Sequence, residues 1–400
     1  MTAPERVEVV ILGAGIAGCA LAHHLAARQV GPVVVYDPAT PGAGATGRAA
    51  GIVTEQLWNR WDVEVTRASK AEYAALAERW DPSAYSVNGF ARWTREAAPA
   101  DGIAESIARL RSWGVAVAPI DPAELARRVP AGRFSDVRAA MWSPDDAVVT
   151  PSAMNEIYAE RARAAGVDLE LGVPWTAFHR SDGAWEVESR TRRVRATRAV
   201  LAAGAWSKRI ASSAGHPLPL VPYRTQAAVL RPTPAEPETL PSVHDIDLDV
   251  YVRPEANGRI LAGDGTEHVE ADPETFRPGG DEAFVGHLAE SFESRFPGWA
   301  EAEMVRAWAG VCTATPDRRP LIGPVTGAIG LYAITGFNGF GVMRAGGAAA
   351  RLAEVLSAGE GDGSAERLLG PVLPTRFSGP PVPFRPRAGF TLEAGDDPRF

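Results

Sequence analysis

Short β-branched runs alternate along this chain with alanine- and leucine-rich stretches, the pattern of buried parallel strands joined by helices. Residues 7–12 (VEVVIL) read as a buried strand and residues 14–29 as a helix. Their junction is Gly13-Ala14-Gly15-Ile16-Ala17-Gly18. Gly13 permits a tight turn, Gly15 admits a pyrophosphate to the backbone, and Gly18 lets helix and strand approach closely. The helix start offers unpaired N–H groups and a positive dipole end to an anion. A second strand, residues 33–36, ends at Asp37, 19 residues after Gly18, where a carboxylate is placed to hold a ribose hydroxyl. Strand, helix and acid together predict a dinucleotide-binding unit; an ordinary glycine-rich turn is the alternative.

Further along, residues 41–52 form a glycine- and alanine-rich loop whose small side chains suit a backbone pressed against a flat ligand. Helical patterns follow at 61–80 and 93–114, with a shorter turn-rich piece at 122–130. Thr150-Pro151 reads as N-cap and first helical position of a helix running to Gly166. A strand at 167–171, a small meander at 185–189 and 195–198, and a buried strand at 198–204 come next. From residue 221 the texture changes to proline-punctuated strands at 226–230, 248–253 and 259–262, then a helix at 281–296. Residues 304–309 are expected to open a final nucleotide-binding section. It continues with a strand at 331–335, a glycine-rich turn at 336–341 and a helix at 342–357.

The fold class this predicts is α/β. A discontinuous Rossmann-like domain takes residues 1–80, 146–221 and 306–365. A second domain of antiparallel sheet plus helices, covering the substrate, takes 81–145 and 222–305. Residues 366–400 are expected as a proline-rich tail, draped on the surface or partly disordered.

Composition narrows the partners. The chain has 400 residues, 46% hydrophobic and 22% charged, as in ordinary soluble domains. A net charge of −8 without a basic stripe argues against nucleic acid. No leader or membrane-length apolar segment is visible, so no membrane span and a cytoplasmic location are expected. Cys19 and Cys312 are the only cysteines and cannot build a disulfide framework. The histidines show no ligand spacing, so no metal is expected. Only Lys70 and Lys208 are lysines, which leaves few candidates for a lysine-dependent step.

With the C-terminal half in view, the chain resembles the D-amino-acid oxidase/sarcosine oxidase superfamily of FAD-dependent amine oxidoreductases. The resemblance rests on residues 11–18, GATGRAAG at 44–51, VLAAGAW at 200–206, WAG at 308–310, TPD at 315–317 with PLIG at 320–323, and GFNGFG at 336–341. These pieces occur in order over residues 7 to about 357. Trp-Ala-Gly followed by Thr-Pro-Asp is most similar to the sarcosine, dimethylglycine and proline-oxidising branch. The resemblance implies FAD held without a covalent bond. Gly13, Ala14, Gly15, Ile16, Ala17, Gly18 and Asp37 would hold the ADP half, with Val173 reaching the adenine through its backbone. Ala45, Thr46, Arg48, Ala50, Gly51 and Ile52 would line the isoalloxazine, and Ala203, Gly204 and Trp206 belong to the same seat. Gly336, Phe337, Asn338, Gly339, Phe340, Gly341, Val342 and Met343 would close over the pyrimidine edge. There a helix N-terminus favours the negative charge of a reduced flavin.

The implied chemistry is hydride transfer to flavin N5 from the carbon beside an amine, giving an imine. The expected electron acceptor is O2 or an accepting partner. The pattern departs from the family at both usual carboxylate anchors, where Cys312 and Met343 stand in place of arginine and lysine. Arg48, Arg224, Arg253 and Arg344 remain as candidate anchors, with Tyr251 as a hydroxyl donor; Arg48 and the Tyr251–Arg253 strand are favoured, against a solvated strand edge for Arg253. The flavin-bonding cysteine position holds Gly310, and the strand at 259–262 lacks the lysine that activates oxygen. His244, Asp245, Asp247 and Asp249 either attract a cationic amine or form the wet face of an amphipathic strand. Three readings follow: an FAD-dependent amine oxidase or dehydrogenase, natural-product tailoring included; the flavoprotein subunit of a heteromeric sarcosine- or proline-type dehydrogenase; or a nicotinamide-dependent enzyme.

Overall fold

The computed structural model describes residues 4–190, 192–237, 239–264, 269–358 and 361–378. Its first sheet has a parallel core in which Asp168–Leu171, Val33–Asp37, Glu5–Leu12, Arg193–Leu201 and Leu331–Thr335 lie side by side. These strands are apolar because helices and a small meander cover both faces. Ile16–Ala27, Arg60–Trp80, Pro151–Ala164 and Gly341–Ala358 pack on one face around Val9, Ile11, Val33, Val35 and Val200. On the other face, Val10, Leu12, Val34 and Leu201 meet Phe178, Trp185 and Ile210. Every strand of the parallel core therefore runs its C-terminal end toward the same edge, where the glycine turns gather.

A second, 9-stranded sheet contains Val221–Arg231, Arg259–Asp264, Val250–Glu255, Ser242–Asp245, Phe90–Thr94 and Ala139–Ser143 in that spatial order, with Glu303–Ala314 along the outer side of Val221–Arg231. The Glu282–Arg295 helix covers one face: Phe284, Leu288 and Phe292 pack on Ala228, Leu230, Val252 and Ile260. The opposite face looks toward the glycine turns of the first sheet.

Several expectations need correction. Residues 304–309 belong to Glu303–Ala314, which pairs antiparallel with Val221–Arg231 from Val221↔Ala314 to Arg231↔Glu303. This strand completes the second sheet rather than opening a nucleotide-binding section. The expected helix at 93–114 begins only at Ala97, because Phe90–Thr94 is a fully buried strand. The expected strand at 248–253 is Val250–Glu255, preceded by a turn in which Asp249 has φ +54°. The aspartates before it are not a wet face. Asp245 is fully buried, accepting from Trp93 Nε1 at 2.8 Å and Arg295 Nε at 2.7 Å, while Asp247 accepts from Thr94 Oγ1 at 2.5 Å. Of the expected tail, Ser364–Leu369 is helical and Leu373 is buried against Gly323. Residues 379–400 lie outside the described residues. No described helix is long and apolar enough to cross a membrane.

Candidate active site

A cavity of about 1270 Å³ lies between the glycine turns and the open face of the second sheet. Its floor is mostly backbone. Gly13 has φ +116°, and a Cβ there would sit 2.5 Å from the Ala202 carbonyl oxygen, so only glycine fits. A Cβ on Gly18 would collide with the Gly13 carbonyl, which makes Gly18 a packing residue; neither it nor Ala14 lines the cavity, whereas Gly13, Gly15, Ile16 and Ala17 do. The Ala14 N–H donates to Asp37 Oδ2 at 2.7 Å, and the Ala39 N–H to Oδ1 at 2.9 Å. Burial raises the Asp37 pKa and these two amides pull it back. Asp37 still faces the cavity, and each oxygen keeps a further lone pair. Thr46 Oγ1 accepts from the Ile16 N–H at 3.1 Å, which ties the loop at residues 43–52 to the helix N-terminus. Val173 is half-buried beside Pro174 and Trp175, which line the cavity where Val173 does not.

A third segment closes the floor. Gly336 (φ +72°) packs where a Cβ would be 2.9 Å from the Thr315 methyl carbon. Asn338, at φ +54°, donates its N–H to the Thr313 carbonyl at 2.8 Å, and the 18-residue Gly341–Ala358 helix starts immediately after. Every residue of 336–343 lines the cavity, as do Ala203, Gly204 and Trp206. Two buried polar atoms here, Asn338 Oδ1 and Thr313 Oγ1, have no partner within the protein.

The opposite wall is built of side chains. Cross-strand pairing aligns Trp308, Ala227, Gly263, Tyr251 and His244 in one row, Gly310 and Thr225 in the next, and Cys312 and Tyr223 in a third. Alternation along each strand puts all three rows on one face. Tyr251 lies across Gly263, where any side chain would strike its hydroxyl. Burial raises the pKa of Tyr251 and Tyr223, and pushes the Cys312 thiol up to about 11 despite a bond from the Tyr223 hydroxyl. Both phenols and the thiol are therefore protonated at neutral pH. His244 is buried with Nε2 3.3 Å from Asp249 Oδ1, and burial lowers its pKa. Trp58 and Phe340, ring centroids 5.0 Å apart, add an apolar rim.

The basic residues expected as substrate anchors are committed elsewhere. Arg48 lines the cavity, but its guanidinium donates to the Ala43 and Gly44 carbonyls and lies 5.9 Å from the Phe276 ring centre, in space left by Gly310. Arg253 is not in the lining. It shares the face of Tyr251 one step further along and donates to the carbonyls of Ala50 and Pro254 (the latter at 2.6 Å) and to Glu255 at 2.8 Å. It is neither a solvated edge nor a cavity cation; it clasps the 43–52 loop from the second sheet. Arg224 is held by Asp281, and Arg344 pairs with Asp62 at 3.1 Å. Met343 is a buried lining residue at a helix start. Residues the sequence reading missed also line the cavity: Tyr223, Asp264, Arg318 and Arg319. A strand alternating from Tyr223 to Ala227 was the available signal for the first; nothing in the sequence marks Arg318 as a lining residue.

Two groups with metal-ligand chemistry occur among the described residues, His23/His24/Glu72 and His179/Glu186/Glu188. In each a partner is already engaged, His24 with Glu72 at 3.1 Å and both glutamates of the second group with Arg193.

A family model described as FAD dependent oxidoreductase (DAO) matches residues 8–355. Dimethylglycine dehydrogenase of Mus musculus is 27% identical over 379 residues, a match covering 89% of this chain and 43% of that protein. The chain thus spans less than half the length of that relative. Glycine oxidase of Pseudomonas aeruginosa is 28% identical over 366 residues, 88% of this chain and 95% of the relative. Among solved structures, L-proline dehydrogenase from P. horikoshii superposes with a TM-score of 0.85 at 25% identity, covering 94% of this chain and 98% of that one.

Proposed function

The chain belongs to the family of FAD-dependent oxidoreductases, and from that premise we propose that it oxidises the C–N bond of an amino acid or N-alkylated amine to an imine. The observation that carries this reading is the cavity itself, where three backbone-built segments far apart in sequence face a side-chain-built wall. The floor suits FAD. Gly13 and Gly15 line the cavity with bare backbone, Asp37 keeps lone pairs toward it, and the buried Asn338 Oδ1 and Thr313 Oγ1 await partners. The Ile16–Ala27 helix start would take the phosphates, and residues 336–343 the pyrimidine edge.

Bound FAD supplies the two-electron acceptor for a hydride leaving the carbon beside nitrogen. The protein's own contribution is placement, dryness and a proton sink. Trp308, Ala227, Tyr251 and His244 form a rigid row above the floor, and Trp58 with Phe340 screens it from water. An ammonium must lose a proton before its carbon can give up a hydride. His244, kept neutral by burial, is the group on the wall able to take it. Tyr251, kept protonated, donates a hydrogen bond to the substrate.

Anaerobic mixing with a panel of N-methyl and cyclic amino acids tests the reading. Loss of the flavin absorbance near 450 nm with at least one of them is the expected result; a flavin that stays oxidised with every amine sinks it. Delivery of electrons to a protein or quinone partner rather than O2 is favoured by one observation. The Arg259–Asp264 strand has no lysine, while Lys70 is bound to Glu55 and Asp146 and Lys208 pairs with Glu270. Peroxide-free turnover in air is the matching measurement.

A further inference from the structure

The outer face of the helical layer carries a cluster of side chains that amine oxidation does not use. We infer that His23, His24 and Glu72 form a zinc site there, completed by water or a small anion as the fourth ligand. None of the three lines the cavity, so the site is independent of whatever is oxidised in it.

Two helices supply the ligands. His23 and His24 stand toward the end of Ile16–Ala27, and Glu72 belongs to Arg60–Trp80. Both helices pack on Gly341–Ala358. A Cβ on Gly346 of that third helix would lie 2.8 Å from Glu72 Oε2 and 2.8 Å from the Tyr158 hydroxyl, so this glycine makes the room in which the carboxylate sits. The Tyr158 ring stands beside both imidazoles, its centre 5.6 Å from that of His23 and 6.5 Å from that of His24. Spacing along the chain conceals such a set, because the carboxylate and the imidazoles come from different helices.

Each of the three residues offers one ligand atom, and these atoms all lie within 4.8 Å of one another. His24 Nε2 is 3.1 Å from Glu72 Oε1, close to the separation of about 3.3 Å that two ligands of one tetrahedral zinc adopt. That nitrogen is buried and has no hydrogen bond in the protein. Its contact with Glu72 joins one ligand to another, so a metal between them leaves neither without a partner. The group at His179, Glu186 and Glu188 differs, because Arg193 already holds both of its carboxylates. Protonation favours ligation as well. Burial raises the Glu72 pKa, but His24, Tyr158 and His23 outweigh it and hold the carboxyl below its ordinary value. Burial, and then the neighbouring His24, lowers the His23 pKa and keeps that ring neutral. An ionised carboxylate and a neutral imidazole are the forms that bind metal.

Two imidazoles and a carboxylate suit zinc rather than magnesium or calcium, which prefer oxygen ligands alone. Three protein ligands leave one position open, and it has somewhere to face. His23 and Glu72 border a cleft of about 410 Å³ together with Arg79, Trp80 and Arg161. The Arg161 guanidinium carbon lies 3.6 Å from the Trp80 ring centre and that of Arg79 lies 4.9 Å from it. These two cations favour a negative fourth ligand, such as hydroxide or chloride, on the metal. Zinc here also ties Arg60–Trp80 to Ile16–Ala27, the helix whose opposite end borders the cavity.

The test uses the flavin-loaded, untagged protein, stripped with EDTA and titrated with zinc chloride against a colorimetric chelator. One zinc per chain is expected, with a dissociation constant of about 1 µM or tighter, a raised thermal midpoint and no competition from magnesium chloride. His24→Gln and Glu72→Gln should each weaken zinc at least about 100-fold, since losing a merely supporting contact already costs about 10–100-fold. Flavin absorbance per chain should be unchanged in both, because neither residue lines the cavity. Should either variant fail to fold, His23→Gln takes its place at a half-buried position. X-ray absorption of the wild-type zinc protein needs no variant and should show two imidazoles around the metal. No zinc uptake, uptake as tight in the variants as in the wild type, displacement by magnesium, or a metal without two imidazoles overturns the site.

Discussion

The two walls of the cavity are made of different material. The floor is peptide: Gly13, Gly15, the 43–52 loop and the 336–341 turn meet a ligand with backbone groups, and at Gly13, Gly51 and Gly336 a Cβ would collide with the segment packed behind the floor. The facing wall is side chain: Tyr223, Tyr251, His244 and Trp308 project from strands whose backbones pair with one another. A backbone site suits a ligand that is the same in every relative. A side-chain site suits one that differs, since each row changes by a single substitution without disturbing the strands. Shared cofactor and variable substrate follow from that contrast.

The sharpest way to break the comparison is to add one carbon to the floor. Gly13→Ala places a methyl 2.5 Å from the Ala202 carbonyl at a φ of +116°. It is expected to cost more than about 3 kcal/mol and to abolish flavin retention, read from absorbance per chain and the thermal midpoint. A stable, yellow Gly13→Ala protein contradicts a backbone-built floor. Arg253→Met probes the link between walls, because its guanidinium reaches from the second sheet to the Ala50 carbonyl. Losing that clasp is expected to destabilise by about 1–3 kcal/mol and weaken flavin binding about tenfold, measured by urea unfolding and flavin titration. Unchanged flavin affinity would mean the loop holds its shape alone.

The smallest effect sits within the wall. Burial lowers the His244 pKa below its ordinary value of about 6.5, so the unfolded chain binds more protons than the folded one below neutrality. Stability therefore falls as pH drops through that value and toward the folded pKa. His244→Gln should flatten the thermal midpoint between roughly pH 7 and 5. Part of the slope should remain from His23, also lowered by burial. An unaltered slope would show that the imidazole titrates as if in water.

The difference between walls also explains how much was legible in the chain. Gly13, Gly18, Asp37 and the 336–341 turn announce themselves because a backbone requirement leaves a fixed residue type at a fixed spacing. Arg253 was visible as a candidate, yet its partner is the Ala50 carbonyl some 203 positions away, which pattern alone does not supply. The aspartates at 245 and 247 looked solvated from their alternation; Trp93 and Arg295, distant in sequence, make them buried acceptors. Residues 304–309 were assigned to the wrong sheet because a strand's composition does not name its neighbour.

From its amino acids alone, this chain determines strands, helices and the glycine turns, since those depend on neighbours a few residues apart. Only tertiary structure decided which arginines line the cavity and which are bound to carboxylates elsewhere. Strand register and the seat of a tight turn set that choice, and both arise from contacts between segments that the linear order keeps separate.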